Sequence, residues 1–171
     1  MKMLDYALAY AARDWAVFPL HTIDGGQCTC GKDNCNAKGK HPLHSGGFKI
    51  ATTDSQTIRD WWELDEDSNI GIATGRVSGL LVVDIDIGSN KNGLDSLQKL
   101  EVEFGQIPRN LVVRTGGGGL HHYLQMPAQP VSSSVSKIGL HIDVRADGGY
   151  VVAPPSRHIS GNRYIWENTF A

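Results

Sequence analysis

Residues 80–87 read L-L-V-V-D-I-D-I, and this stretch decides how the rest of the chain is interpreted. The aliphatic run predicts a strand that carries Asp84 and Asp86. Residues two apart in a strand point to the same face, so the two carboxylates are expected to project side by side. Two like charges there cost free energy unless a cation lies between them, and hard oxygen ligands suit Mg²⁺ or Mn²⁺. The pattern predicts a divalent-metal site, although a strand end whose acids reach solvent would look the same.

A second strand pattern adds a third carboxylate. Residues 141–156 read H-I-D-V-R-A-D-G-G-Y-V-V-A-P-P-S, with Asp143 among apolar residues and Arg145 on the same face. If the two strands are neighbours, Asp143 joins the first two carboxylates. Two divalent ions bridged by carboxylates are the usual machinery of phosphoryl transfer. Asp147 precedes two glycines and is more simply a turn residue.

Four consecutive glycines lie between two further strand candidates, in R-T-G-G-G-G-L-H-H-Y-L over residues 114–124. Such a run lets the backbone approach a ligand closely and aim several N–H groups at one point, which favours phosphate. A flexible hairpin loop is the alternative. The run is neither a P-loop nor a dinucleotide fingerprint, because no G-K-[ST] and no helix follows it. His121 and His122 are adjacent in a strand, so only one of them can enter a site, and His121 is nearer to the glycines.

All three cysteines and one histidine form a compact cluster in the sequence. Cys28, Cys30 and Cys35 occur as C-T-C-G-K-D-N-C, and His41 follows in G-K-H-P. Three thiolates and one imidazole would complete a tetrahedral structural zinc site. The surrounding stretch has few apolar residues, so a metal would supply folding free energy that a core cannot. His44 is an alternative fourth ligand, and unliganded cysteines in a loop are the other interpretation.

Composition bounds the class of protein. The chain has 171 residues, which is about one domain, and 16 Lys plus Arg against 18 Asp plus Glu leave a net charge of −2. This excludes a strongly basic nucleic-acid coat and a polybasic membrane binder, but not a local basic groove. No apolar run approaches the roughly 20 residues that a membrane span needs, and the N-terminus has no signal-like segment. A cytoplasmic, reducing location without a membrane partner is expected.

Hydrophobic periodicity predicts an α+β fold with a central antiparallel or mixed sheet. The predicted helices cover 3–13, a segment capped by Thr53 or Asp54 that carries Ile58, Trp61 and Trp62, and a segment with Leu94, Leu97, Leu100 and Phe104. The predicted strands cover 16–20, 69–73, 80–87, 110–114, 121–126, 140–145 and 149–153, and residues 22–47 are expected to be irregular.

The motifs, taken in order, resemble a known family. N-I-G-I-A-T-G, V-V-D-I-D, R-T-G-G-G-G-L-H and I-D-V-R-A-D-G-G-Y-V-V-A-P-P-S follow C-x-C-x4-C and G-K-H-P. This order strongly resembles the catalytic primase–polymerase (Prim-Pol) domain of the archaeo-eukaryotic primase superfamily, especially the N-terminal form in plasmid, phage and other mobile-element replication proteins. The resemblance covers residues 5–165. It implies an RRM-like catalytic sheet packed with a smaller α/β unit, and a zinc-binding insertion at about 24–47.

The resemblance also implies an activity and partners. Residues 1–171 would be one catalytic domain that synthesises DNA or a primer from NTP or dNTP on a single-stranded DNA template, using two Mg²⁺ or Mn²⁺ ions and one structural Zn²⁺. The chain is expected to be the N-terminal part of a longer replication protein with a C-terminal helical or helicase domain.

The same resemblance assigns site residues. Asp84, Asp86 and Asp143 would hold the catalytic ions, and His121 would contact the incoming triphosphate. The family often has a serine in the glycine segment, where this chain has Gly117 or Gly118, so phosphate contacts would fall to the backbone and to Thr115. Further candidates for the triphosphate pocket are Arg145, Ser156, Arg157 and His158.

Two other functions fit parts of the sequence. A rolling-circle replication nickase also has an RRM-like sheet, a histidine pair and a nucleophilic tyrosine, which His121-His122-Tyr123 would supply. That pair is His-hydrophobic-His, however, and adjacent histidines in a strand cannot share a face. A catalytically inactive zinc-bearing module that binds nucleic acid is the second alternative, and its sign would be the loss of a motif carboxylate, which this chain retains.

Overall fold

Short apolar runs separated by turn residues form a three-stranded and a six-stranded antiparallel sheet, two short two-stranded sheets and three α-helices in the computed structural model, which describes residues 1–167. In chain order the elements are α1 (Met3–Ala11), β1 (Val17–Leu20), β2 (Ile23–Asp24), β3 (Gln27–Cys28), a 3₁₀ helix (Gly47–Ile50), α2 (Ser55–Leu64), β4 (Asn69–Ala73), β5 (Leu80–Ile85), β6 (Ile87–Gly88), β7 (Lys91–Asn92), α3 (Gly93–Phe104), β8 (Val112–Arg114), β9 (Leu120–Gln125), β10 (Ser134–Gly139), β11 (Ile142–Arg145), β12 (Tyr150–Ala153) and β13 (Ile165–Trp166).

The smaller sheet has the order β1-β4-β12, with both pairs antiparallel. Helices α1 and α2 contact each other and this sheet, and they bury Tyr10, Ile58 and Trp62. Asp54 caps α2, because its carboxylate accepts hydrogen bonds from the Thr57 N–H at 2.9 Å and the Thr57 hydroxyl at 2.7 Å. This decides between the two capping residues that the sequence allows.

The larger sheet has six strands in the order β10-β11-β5-β9-β8-β13, again with antiparallel neighbours. Alternate residues of its strands serve two different cores. Val83 and Ile85 point to one face, where they pack with Leu97 of α3. Val82 and Tyr123 belong to the larger core, which the six-stranded sheet shares with the smaller sheet. The candidate site residues Asp84, Asp143 and His121 lie on this second face.

The prediction of a mixed α and β fold with three helices is confirmed, and several strand boundaries are corrected. The segment 22–47, expected to be irregular, contains the β2–β3 hairpin. The strand expected at 140–145 is β11, which begins only at Ile142, and the strand β10 before it was not predicted. β10 is exposed along most of its length at the edge of the sheet, so it lacks the apolar alternation that marks a strand. Among the described residues, no helix is long and apolar enough to cross a membrane.

Candidate active site and metal centre

Three sequence candidates lie abreast in the middle of the six-stranded sheet. Asp143 of β11 pairs in register with Asp84 of β5, and Asp84 pairs with His121 of β9. Directly opposed residues of neighbouring strands point to the same face. The His121 Nε2 atom is 3.4 Å from Asp84 Oδ1. The expectation that Asp143 joins Asp84 on a neighbouring strand is therefore met by the register of the sheet.

The row lines a cleft of about 390 Å³ between the two sheets. Val82 of β5 and Tyr123 of β9 are paired and belong to the apolar core between the sheets. The next pair on the same face of these two strands is Asp84 and His121, and it lines the cleft. Tyr150 of β12 contributes to the wall from the smaller sheet. The cleft thus opens where the apolar core between the two sheets ends, and the candidate site residues are held on paired strands.

Basic side chains already accompany the carboxylates. Arg145 donates a hydrogen bond from Nη2 to Asp143 Oδ2 at 2.7 Å, and the same atom is 3.9 Å from Asp84 Oδ2. Burial opposes ionisation of Asp84, but His121 and Arg145 outweigh it and lower the pKa of this carboxyl. Asp84 is therefore ionised at neutral pH although its side chain is only 19% exposed.

Asp86 differs from the other two acids. β5 ends at Ile85, before Asp86, so the strand is shorter than the expected 80–87. The Asp86 side chain is 42% exposed and accepts a hydrogen bond from Lys91 Nζ at 2.6 Å. Asp86 still lines the same cleft as Asp84 and Asp143.

The three carboxylates fit a divalent cation, because their oxygen atoms are hard ligands. Two of them already have cationic partners, since Asp143 pairs with the Arg145 guanidinium and Asp86 with the Lys91 ammonium group. The three carboxylates are less tightly gathered than a formed metal site. Within residues 1–167, the group of at least three ligand atoms all lying within 4.8 Å of one another is the cysteine–histidine cluster, not the aspartates.

The glycine run forms a closed turn, which limits its use as a phosphate cradle. The Gly119 N–H donates to Thr115 Oγ1 at 2.9 Å, and the Gly118 N–H donates to the Thr115 carbonyl at 3.0 Å. These two amides are consumed inside the turn. Thr115 lines the cleft, whereas Gly117 and Gly118 are exposed at the tip of the turn.

Of the late candidates, Ser156 and Arg157 are not brought to the cleft. Ser156 is fully buried and its Oγ accepts a hydrogen bond from the Ile70 N–H at 2.9 Å, so it serves the packing of β4. Arg157 pairs with Asp67 at 2.9 Å. His158 packs against the glycine turn and makes an edge contact with Tyr164, whose ring lines the cleft. Ser156 and Arg157 therefore lie outside the cleft lining, and His158 lies beside it.

Three aromatic residues of the cleft, Phe48, Tyr150 and Tyr164, were missed by sequence reasoning. Tyr150 lies within the quoted D-G-G-Y motif, so its position beside Asp147 and the paired glycines was an available signal. Tyr164 lies outside every motif and carried no signal.

The cysteine–histidine cluster is assembled as the spacing predicts. One ligand atom each from Cys28, Cys30, Cys35 and His41 lies within 4.8 Å of the others, with Cys28 Sγ 3.5 Å from His41 Nε2. A tetrahedral zinc site with such ligands has edges of about 3.5–3.8 Å. The donor set of three thiols and one imidazole therefore fits Zn²⁺. His44 is outside the cluster, against Trp61.

The thiols of the cluster are not equivalent. The pKa of Cys30 is lowered to about 6, chiefly by a hydrogen bond from the backbone of Lys32. The pKa of Cys35 is raised, chiefly by desolvation. A thiolate is the form that binds a metal, so the Lys32 backbone hydrogen bond favours the ligating form of Cys30.

His122 points to the opposite face from His121, as expected for neighbours in a strand. It pairs with Val83, a residue of the α3 core, and its Nδ1 lies 3.3 Å from the Pro108 carbonyl. Burial lowers the pKa of His122, and Arg109 acts in the same direction, while the Pro108 carbonyl and Glu101 oppose them. His122 is thus part of the packing and not of the cleft.

A pH dependence of stability follows from His122. A histidine whose pKa is lowered by folding is neutral in the folded protein, so its contribution to stability is present above its unfolded pKa of about 6.5 and is lost as the pH falls through the folded value. We expect the free energy of unfolding to decrease between pH 7 and 5, and His122→Gln to make this decrease shallower. Urea unfolding at several pH values measures it. His21 and His158 also have lowered pKa values, so some dependence persists; an unchanged slope in the variant would contradict the prediction.

Comparison with known proteins identifies the family of the chain. The family model for the N-terminal domain of the bifunctional DNA primase/polymerase, Prim-Pol, matches residues 7–170. A comparison with curated proteins found no match. Because the family model spans nearly the whole chain, including the acidic strands, the glycine turn and the cysteine–histidine cluster, the chain belongs to the Prim-Pol family of bifunctional DNA primase/polymerase N-terminal domains.

Proposed function

We propose that the cleft adds nucleotides from NTP or dNTP to a primer 3′-hydroxyl, directed by a single-stranded DNA template. The observation that carries this proposal is the row of Asp143, Asp84 and His121 on three neighbouring strands, all of which line one cleft. Membership of the Prim-Pol family supports the class of reaction. An RRM-like description of the six-stranded sheet and a place at the N-terminus of a longer replication protein belong to the same proposal.

Asp84, Asp86 and Asp143 would hold two Mg²⁺ or Mn²⁺ ions. Such ions, when bound, stabilise the negative charge on a transferring phosphoryl group and make a hydroxyl a better nucleophile. The chain contributes two acids held on adjacent strands, so their spacing is set by the sheet. The low pKa of Asp84 keeps that carboxylate charged for the purpose.

The remaining polar groups of the cleft suit a triphosphate. Arg145 offers a planar guanidinium, which binds phosphate oxygens with two parallel N–H groups. His121 faces Asp84 with one nitrogen, while its buried Nδ1 has no hydrogen-bond partner within residues 1–167. A buried polar atom of this kind costs free energy unless a ligand or water satisfies it. Thr115 lines the same cleft.

The structure weighs against the nickase alternative. A nucleophilic tyrosine must reach a DNA phosphate, but Tyr123 is 5% exposed and packs on Trp15 with ring centroids 5.6 Å apart. Burial raises the pKa of Tyr123 well above its ordinary value, so the reactive phenolate is disfavoured.

The test uses one labelled primer–template and one unprimed single strand, each with NTP or dNTP and with Mg²⁺ or Mn²⁺. Extension of the primer, or new labelled products on the unprimed strand, is the expected result. Asp60→Asn, on the exposed face of α2, is a control that should keep full activity. If neither substrate is extended under any combination while the protein is folded, the proposal fails and the inactive binding module is favoured.

A further inference from the structure

Lys40 lies between two residues of the chain that are held firmly in place. The Gly39 N–H donates to Cys28 Sγ at 3.4 Å, and the Gly39 carbonyl accepts from Asn69 Nδ2 at 2.8 Å. On the other side, the His41 carbonyl accepts from the His21 N–H at 3.0 Å, and the His41 ring belongs to the metal-ligand cluster. The backbone at Lys40 is therefore anchored on both sides, while the residue itself is exposed.

A third contact ties Lys40 to the cleft. The Tyr150 hydroxyl donates to the Lys40 carbonyl at 3.0 Å, and Tyr150 stands on β12, in the wall of the cleft. The zinc-ligand loop and the smaller sheet are thus joined at this residue. Lys40 itself lines the cleft together with Asp84, Asp143 and His121.

The charge of Lys40 acts within the cleft and is not neutralised by a neighbour. It contributes to lowering the pKa of Asp84 and also that of His158, which places the ammonium group in the electrostatic range of both. Arg145, the other cation lining the cleft, is paired with Asp143. Within residues 1–167, Lys40 forms no ion pair. An exposed cation on a fixed backbone at the rim of an acidic cleft is suited to an anionic ligand.

We propose that Lys40 is a phosphate-binding residue of the cleft and that the metal-bound loop exists in part to position it. The inference rests on the proposed function, because it takes the ligand to be the phosphate of that reaction. The phosphate can belong to the nucleoside triphosphate or to the backbone of the DNA strand, and both present the same chemistry. The loop would then be part of the substrate site and not only a structural clamp.

The test measures binding, not catalysis. Lys40→Ala and the control Lys38→Ala, on the same loop but outside the cleft lining, are compared for zinc content and for affinity. One arm titrates a non-hydrolysable nucleoside triphosphate, and the other titrates fluorescent single-stranded DNA at several salt concentrations. We expect Lys40→Ala to keep its zinc and to weaken one or both affinities about tenfold, as for loss of a charged hydrogen bond. For DNA, the slope of log affinity against log salt should fall by about 1.

The outcomes separate the possibilities. Weakening of the triphosphate arm alone identifies the triphosphate, weakening of the DNA arm alone identifies the strand, and either supports the proposal. Equal affinity of Lys40→Ala and wild type in both arms overturns it, as does equal weakening by Lys38→Ala. Because binding is measured without turnover, a wild-type protein that binds but never extends a primer would refute the proposed function while leaving this inference standing.

Zinc removal supplies a second measurement. Stripping the metal from wild type should weaken the affected arm by a similar factor, because the loop no longer holds Lys40 in place. In Lys40→Ala the same treatment should change that affinity little, since the cation is already gone. If zinc removal weakens binding equally in both proteins, the loop does not act through Lys40 and its positioning role is refuted.

Discussion

Asp84→Asn should reduce nucleotide incorporation by at least about 10²–10³-fold, which is the scale for removing one group that stabilises charge in a transition state. The substitution keeps the size of the side chain and removes its charge. Asp84 is the middle member of the row, opposite Asp143 on one side and His121 on the other, so it is the acid that both neighbours share. A steady-state primer-extension assay with saturating metal measures the effect.

The fold should survive this substitution. Asp84 is a strand residue that lines the cleft, and its backbone pairing with β9 and β11 does not depend on the carboxylate. Its lowered pKa means that the charged form stabilises the folded state above the ordinary pKa near 4, so the variant loses a modest part of this stability at neutral pH. Wild-type activity in a folded Asp84→Asn protein would refute the assignment of the site.

The other carboxylates allow a graded comparison. Asp143→Asn should be nearly as inactive as Asp84→Asn, because Asp143 is buried in the same row and holds Arg145. Asp86 is the most exposed of the three and lies beyond the end of β5. The activity of Asp86→Asn therefore tests whether Asp86 is needed for nucleotide incorporation or only forms the ion pair with Lys91. The control Asp60→Asn changes the net charge equally without touching the cleft.

The parts of the site that follow from period-two alternation could be predicted from the sequence. Asp84 and Asp143 each lie in an apolar strand, so pairing of these two strands with Asp84 opposite Asp143 brings both carboxylates to the same face of the sheet. The opposite orientations of His121 and His122 follow from the same rule. The cysteine–histidine cluster was predictable because its ligands are close in sequence and their chemistry is specific.

The parts that depend on long-range packing could not be predicted. Ser156 follows a motif strand directly, yet its hydroxyl turns inward to the amide of Ile70, a residue far away in sequence. Asp86 was expected to continue β5, but its N–H donates to the His141 carbonyl and its own carbonyl accepts from Gly93, at the start of α3. Tyr164 reaches the cleft because the chain after β12 turns back to pair β13 with β8, and no local sequence pattern predicts this.

The net charge of −2 is a poor guide to the partner of this chain. Three of its acids line one cleft, where divalent cations would outweigh them, and the exposed Lys40 adds a positive charge at the same place. The local balance therefore favours a polyanionic substrate although the overall balance does not.

Loss of one zinc ligand should have the largest effect on stability, and the choice between two histidines makes the test specific. His41→Ala removes the imidazole whose Nε2 lies 3.5 Å from Cys28 Sγ, whereas His44→Ala removes a ring outside the cluster. We expect His41→Ala to lose most of its zinc and His44→Ala to retain one ion per chain. Metal analysis of the purified proteins by mass spectrometry measures this directly.

The stability of His41→Ala should fall with the metal. A structural zinc contributes about 10–16 kcal/mol in small zinc-dependent peptides, because few apolar residues are available to fold them. The stretch between β3 and the 3₁₀ helix is similarly short of buried apolar side chains, and it attaches to β1 through the Leu43 N–H, which donates to the Pro19 carbonyl at 3.1 Å. A loss of only about 3 kcal/mol would lower the Tm by about 6–12 °C in a chain of this size.

A zinc chelator should lower the Tm of wild type and His44→Ala alike but leave that of His41→Ala nearly unchanged. If His44→Ala loses the ion and His41→Ala keeps it, the cluster rearranges around the second histidine; if purified wild type holds no zinc, the cluster is a set of free thiols beside an imidazole.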